Sequence, residues 1–385
     1  MTEPIAHPLG PPKAPAFPEG LPLARPRVAE PAVVGADVEA ILRSGVLTNG
    51  PFVRRLEARA AEYLGVHHCI AVSSCTSGLM LMLRAAGLSG DVIVPSFTFM
   101  ATAHAVAWNG LRPVFADIDP SSLTLDPRSV EKAVGVRTSA VLATHVYGSP
   151  CDVEGLQAVA DRHGIRLFFD AAHAFGSLRA GRHVGGFGGA EVFSLSPTKP
   201  LVAAEGGIVA TDDDVLAERC RMGRDYGNPG DYDCRFVGLN GRMSELHAAV
   251  ALASFADLEG RIGERNRIAG WYRDALDGVP GIRFPSVPGG DRSTYKDLAV
   301  LVDPEAFGMD ADALSLALAA EGIETRRYYA PPVHRTRAYA RSSTNGGLPV
   351  TDEASARALC LPLWEGMAME AVERVAEVLT RAGAR

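Results

Sequence analysis

Residues 140–173 read AVLATHVYGSPCDVEGLQAVADRHGIRLFFDAAH, and their pattern decides the fold. Ala140 to His145 is a short apolar run of strand length, closed by a turn containing Gly148 and Pro150. Val153 to His163 then places apolar residues at three- and four-residue spacings, the signature of a helix with one buried face. A second apolar run, Leu167 to Asp170, follows Gly164. Strand, helix and strand in this order form one unit of a mostly parallel sheet.

The same rhythm extends in both directions. Further strands are predicted at His68 to Val72, Val92 to Pro95, Pro113 to Asp117, Glu191 to Ser194 and Gly207 to Thr211. Helices are predicted at Gly35 to Ser44, Val53 to Leu64, Ser77 to Ala86, Phe99 to Trp108 and Pro127 to Val134. The result is a doubly wound α/β domain. Beyond a long helical stretch, Ser244 to Leu276, a smaller α/β unit is expected, with strands at Asp297 to Val302 and Glu324 to Tyr329 and helices at Ala311 to Glu321 and Met369 to Ala382. Nine of the 26 prolines fall in the first 31 residues, so the expected division is a flexible or surface-hugging Pro-rich arm (1–20), a large domain (21–255) and a small C-terminal domain (256–385).

Composition narrows the function. With 385 residues, 47% apolar and 22% charged, the chain has ordinary globular proportions. A net charge of −7 argues against a general nucleic-acid binder, which needs a broad basic face. The six cysteines show no C-x-x-C pair and no zinc spacing, so no metal is expected. The opening MTEPIAHPLGPPK lacks a basic stretch followed by an apolar core, and a cytoplasmic protein with reduced thiols is expected. Val92 to Leu111 is uncharged, but Pro95, His104 and Asn109 interrupt it, so no membrane span is expected.

Ligands of such sheets gather at the carboxyl ends of strands. Lys199 lies just past one, in Val192-Phe-Ser-Leu-Ser-Pro-Thr-Lys199, among small, apolar and hydroxyl-bearing residues. Schiff-base chemistry needs an amine desolvated enough to be neutral part of the time, which such a pocket supplies; the competing reading is a solvated loop lysine. Asp170 ends the run Leu167-Phe-Phe-Asp170, where a carboxylate suits the protonated ring nitrogen of pyridoxal 5'-phosphate or, alternatively, a turn cap. His173 follows it and reads equally as a satisfied core histidine. In Ser73-Ser-Cys-Thr-Ser-Gly78, hydroxyls and N–H groups converge at a helix start, as for a phosphate or a plain cap. Phe99 is placed either to stack on a flat cofactor or to fill core.

Taken in order, nine motifs resemble the DegT/DnrJ/StrS family of sugar aminotransferases, which belong to the pyridoxal-phosphate-dependent transferase fold type I. They are SGVLTNGP (44–51), AVSSCTS (71–77), VPSFTFMAT (94–102), HVYG (145–148), DAAHAFG (170–176), FSLSPTK (193–199), EGG (205–207), GLNGRMSEL (238–246) and YYAPPVH (328–334). The resemblance implies that Lys199 forms the internal aldimine and carries the proton between substrate and cofactor. It implies that Asp170 pairs with the pyridinium, that Phe99 stacks on the ring, and that His173 stands beside the phenolic oxygen, where its titration would add a pH dependence. Thr76, Ser77 and Ser194 would hold the phosphate, with Asn240 reaching it from the partner in a homodimer. Thr48, Asn49, Tyr295, Tyr328 and His334 are the acceptor-pocket candidates.

The implied cycle passes an amino group from an amino acid, by family habit glutamate, through pyridoxamine 5'-phosphate to a nucleotide-linked keto sugar. A cyclitol aminotransferase, a pyridoxal-phosphate-dependent sugar dehydratase and a non-catalytic regulatory or binding protein of the same fold are the alternatives. One branch of the family carries histidine in place of the lysine and dehydrates deoxysugars; Lys199 speaks against it. Cys75 departs from the family's usual glycine and Gly241 from a larger residue, and altered substrate shape is expected from both.

Overall fold

The computed structural model describes residues 14–27, 30–342, 344 and 346–383. Residues 1–13 of the expected arm lie outside the described residues. The chain builds β1 (His68–Val72), β2 (Asp91–Pro95), β3 (Arg112–Ala116), β4 (Thr138–Thr144) and β5 (Arg166–Asp170). A short hairpin, β6 (Leu178–Arg179) and β7 (Arg182–His183), precedes β8 (Ala190–Ser194) and β9 (Gly207–Thr211). The seven-stranded sheet runs in the order β1-β9-β8-β5-β4-β2-β3. Every pairing is parallel except those of β9, which opposes both neighbours.

Two-residue alternation sends side chains to both faces, and both are covered. Val141, Ala143, Phe169 and Phe193 enter one core with Leu56, Leu156 and Ala248 from helices. Ala140, Leu142, Phe168 and Val192 enter the other with Leu79, Leu83 and Ala217. The helix Val153–His163 illustrates the local code. Asp152 accepts the Gly155 N–H at 3.1 Å, Leu156, Val159 and Ala160 are buried, and Gly164, at φ 62°, ends the helix in a left-handed conformation.

The long stretch expected from Ser244 to Leu276 is two helices, Glu245–Phe255 and Leu258–Ala275. The break is held by Arg261, whose guanidinium donates to the Ser254 carbonyl and to Ser254 Oγ (3.0 Å), satisfying the end of the first helix from the second. The second unit carries an antiparallel sheet of β10 (Ile282–Arg283), β11 (Leu298–Val302) and β12 (Ala358–Leu361). The strand expected at Glu324 to Tyr329 is not one: that segment makes an isolated bridge at Arg326↔Cys360. It then turns at Arg327, whose guanidinium is spent on the carbonyls of Ser355, Ala356 and Ala358. Residues 14–20 lie against this unit: the N–H of Ala16 donates to Glu321 Oε2 (2.7 Å) and that of Phe17 to the Glu321 carbonyl (2.9 Å). Among the described residues no helix is long and apolar enough to cross a membrane.

Candidate active site

A pocket of about 290 Å³ opens at the carboxyl ends of β5 and β8, where the sheet delivers Asp170 and Ser194. Thr76, Phe99, Asp170, His173, Ser194, Lys199 and Tyr328 all line it, with Cys75, Thr198, Lys296, Asp297 and Tyr329. Residues distant in sequence thus converge where a parallel sheet leaves its strand ends open.

Asp170 is 3% exposed. Thr102 Oγ1 donates to its Oδ2 at 2.7 Å and the Ala172 N–H to its Oδ1 at 3.1 Å, while the Cys75 thiol lies 4.0 Å from Oδ1. Burial pushes the carboxyl above its usual range, and the two hydrogen bonds, Lys199 and His145 oppose the shift. Burial lowers the Lys199 ammonium to about 8, with the nearby Lys296 charge acting in the same direction. His173 is pushed well below its usual value by burial, then by Lys199 and Lys296, which favours the neutral ring. Its Nδ1 is buried without a partner.

The phosphate-side turn is the start of the helix Cys75–Ala85. Ser74 and Ser77 cap it reciprocally: Ser74 Oγ accepts the Ser77 N–H and Ser77 Oγ the Ser74 N–H, both at 3.0 Å. The first-turn N–H groups of Cys75 and Thr76 have no intrahelical acceptor, so they remain for a ligand. Ser77 is therefore a cap and does not line the pocket, whereas Thr76 does. Gly207 explains the EGG motif: a Cβ there would meet Cys75 N at 2.7 Å and Ser74 O at 2.8 Å. Gly207→Ala is expected to push this turn off β9 and cost about 1–3 kcal/mol, read as a lower midpoint in urea unfolding. An unchanged midpoint would mean that the turn yields freely.

Other expected residues lie elsewhere. Asn240 is exposed and outside the pocket of its own chain, although the next residue's carbonyl accepts the Ser73 N–H at 2.8 Å. Thr48 Oγ1 donates to the Met243 carbonyl (3.0 Å), and Asn49, at φ 50°, keeps a buried Oδ1 without a partner; neither lines the pocket. Tyr295 packs on the second unit's core, its hydroxyl accepting from Arg273 at 3.3 Å. His334 is tied to Ser96 Oγ (2.7 Å) and Asp352 (3.2 Å), a structural bridge from β2 to the second unit. Lys296 and Asp297, which line the pocket, and Thr102, which is buried behind it and holds Asp170, are residues that sequence reasoning misses. Thr102 ends a quoted motif, but its role shows only when the helix start meets β5.

Solved structures share the fold. DesI, determined in the presence of its TDP-sugar product, superposes with a TM-score of 0.92 at 40% identity, covering 96% of this chain and 95% of its own. The fold is that of the pyridoxal-phosphate-dependent transferases of fold type I. Residues 32–380 match the DegT/DnrJ/EryC1/StrS aminotransferase family, and the chain belongs to that family of sugar aminotransferases. It is 33% identical to the dTDP-4-amino-4,6-dideoxy-D-glucose transaminase of Escherichia coli, over 93% of this chain and 98% of that one. It is 37% identical to the dTDP-3-amino-3,4,6-trideoxy-alpha-D-glucose transaminase of Streptomyces venezuelae, over 86% of this chain and 87% of that one.

The family implies pyridoxal 5'-phosphate, and the residues present fit it. A depressed amine suits an aldehyde, a buried carboxylate suits a protonated ring nitrogen, an orphaned imidazole Nδ1 awaits a polar partner, and a helix start awaits an anion.

Proposed function

We propose that this enzyme moves an amino group from an amino acid, glutamate, to the ketone of a nucleotide-linked hexose, with pyridoxal 5'-phosphate held on Lys199. The observation that carries the reading is the meeting of a depressed amine, Lys199, and a buried carboxylate, Asp170, in one pocket at the ends of β5 and β8. The cofactor supplies an aldehyde that accepts an amine and a positive ring that draws electrons from the adjoining carbon.

Lys199 would hold that aldehyde and, once freed from it, would carry the proton at the substrate carbon. At about 8 its ammonium is neutral in about a tenth of molecules at pH 7, several hundred times the fraction of an ordinary lysine. Asp170 holds the positive ring nitrogen, and Thr102 and the Ala172 N–H fix the carboxylate in place. His173, neutral, offers a hydrogen bond to the phenolic oxygen, and Phe99, half exposed at the pocket, covers the ring. Thr76, Ser194 and the helix start receive the phosphate, while Ser77 shapes that start.

The active unit in this reading is a homodimer in which the exposed Asn240 reaches the phosphate of the partner subunit's site. The exposed apolar residues Val33, Leu42, Val46 and Leu47 support association. The assignment of residues 21–255 to a large cofactor-binding domain and 256–385 to a small C-terminal domain belongs to the same proposal, as does cytoplasmic location.

Borohydride reduction of the loaded protein, followed by peptide mapping, is expected to place the label on Lys199. The rate of cofactor uptake should rise about tenfold per pH unit below 8 and level off above it, because the reacting form is the neutral amine. Label at another lysine, or uptake independent of pH, would overturn the assignment.

A further inference from the structure

Lys296 and Asp297 enter the pocket from the second unit just before β11. Their side chains are 7% and 4% exposed, and Lys296 Nζ donates to Asp297 Oδ1 at 2.7 Å. Main-chain bonds fix the segment: the Lys296 N–H donates to the Tyr147 carbonyl at 3.0 Å, and Arg265 Nη1 donates to the carbonyls of Tyr295 (2.9 Å) and Lys296 (3.4 Å). Apolar residues in place of a buried ion pair are commonly neutral or stabilising, so packing alone gives no reason for this one.

The pair is also left incomplete. Asp297 Oδ2 is buried without a partner, and the ammonium spends one of its three donors on Oδ1. Buried polar groups are almost always satisfied, so an acceptor and two donors left over beside Lys199 call for a ligand that supplies both. The pair has no net charge. A donor carboxylate would gain from Lys296 and lose against Asp297, whereas a neutral hydroxyl gains from both. The Tyr328 ring, 5.6 Å from Lys296 Nζ and also lining the pocket, adds a flat apolar surface of the kind that covers a pyranose face.

We propose that Lys296 and Asp297 read the ring hydroxyls of the keto sugar and so determine which acceptors are aminated. This rests on the aminotransferase reading above. The two half-reactions separate it from that reading, because glutamate loads the enzyme and the sugar unloads it.

The test uses single turnovers of the holoenzyme with glutamate, and of its aminated form with dTDP-linked 4-keto and UDP-linked 3-keto hexoses and their ring-deoxy analogues. Lys296→Met/Asp297→Leu removes the pair without leaving a lone buried charge. Because the Lys296 and Asp297 charges act on the Lys199 amine in opposite directions, removing both is expected to keep the glutamate half-reaction within about threefold of wild type while kcat/KM for the keto sugar falls about 100-fold. On wild type, removing the recognised hydroxyl should cost about the same factor, and the double variant should treat the hydroxylated and deoxy sugars alike. A merely structural role would not abolish that discrimination. Asp297→Asn gives the same comparison if the double variant does not fold. Wild type indifferent to every ring hydroxyl, or a variant slowed with glutamate and normal with the sugar, overturns the inference. Wild type that accepts nitrogen from glutamate but passes it to none of the sugars overturns the proposed function, and this inference with it.

Discussion

Lys199→Ala is expected to lower kcat for transamination by about 10⁴-fold or more, because one side chain serves both as the amine that holds the aldehyde and as the carrier of the proton. Lys296 does not replace it, since its ammonium is bound to Asp297 at 2.7 Å. The variant should nonetheless fold, and fold more tightly without cofactor. The folded state holds the Lys199 ammonium at about 8 against an ordinary 10.5, so it binds fewer protons than the unfolded chain between those values. The resulting penalty is fully present below pH 8, shrinks as pH rises, and vanishes above 10.5. At about 1.4 kcal/mol per unit it amounts to about 3 kcal/mol at pH 7, which the alanine variant escapes. Apo wild type and apo variant compared by urea unfolding across pH 6 to 11 check this. A small primary amine added to the medium should restore part of the variant's rate, and full activity without it would remove Lys199 from the chemistry.

Such a stored penalty marks a residue kept for its reactivity, and it explains why Lys199 stands out in the bare sequence. A lysine among small and hydroxyl-bearing residues past a strand is an exception to solvated placement. Asp170 is legible for a related reason: a carboxylate closing the run Leu167-Phe-Phe must be buried wherever the strand is. Strands with continuous apolar runs, such as His68–Val72 and Gly207–Thr211, declare their own bounds, because burial on both faces leaves no polar phase to blur them.

What is not legible depends on contacts between distant segments. β12 follows the helix Pro349–Arg357 without an intervening turn, so local pattern assigns the strand to Glu324–Tyr329 instead. The break at Ala256 and Asp257 carries no proline or glycine, and the arginine that holds it lies in the next helix. Thr102 reads as an ordinary helical threonine until β5 brings Asp170 within 2.7 Å. Lys296 and Asp297 read as the polar lead into a strand, since nothing in a linear pattern tells that both charges are buried. His334 lies outside the pocket of its own chain for the converse reason: its ring nitrogens face Ser96 Oγ at 2.7 Å and Asp352 Oδ1 at 3.2 Å, contacts between distant segments.

Asp170→Asn is expected to lower kcat about 10³-fold while changing stability little. The amide has the carboxylate's shape, can still accept the Ala172 N–H, and meets at Thr102 a hydroxyl able to accept as well as donate, as it already exchanges with Thr98 Oγ1 at 2.9 Å. What disappears is the charge. Burial works against a carboxylate here, and two hydrogen bonds with Lys199 and His145 nearby hold it against that pull; a positive ring nitrogen would hold it further. Without the negative charge the ring nitrogen loses its proton, and the pull on the carbon's electrons weakens in both half-reactions alike. The expected result is therefore equal slowing with glutamate and with the keto sugar, unlike the one-sided loss expected for the Lys296–Asp297 pair. A cofactor analogue methylated on the ring nitrogen, positive without any carboxylate, should narrow the gap between variant and wild type. Equal rates for Asp170→Asn and wild type with the natural cofactor would show that the carboxylate only shapes the pocket.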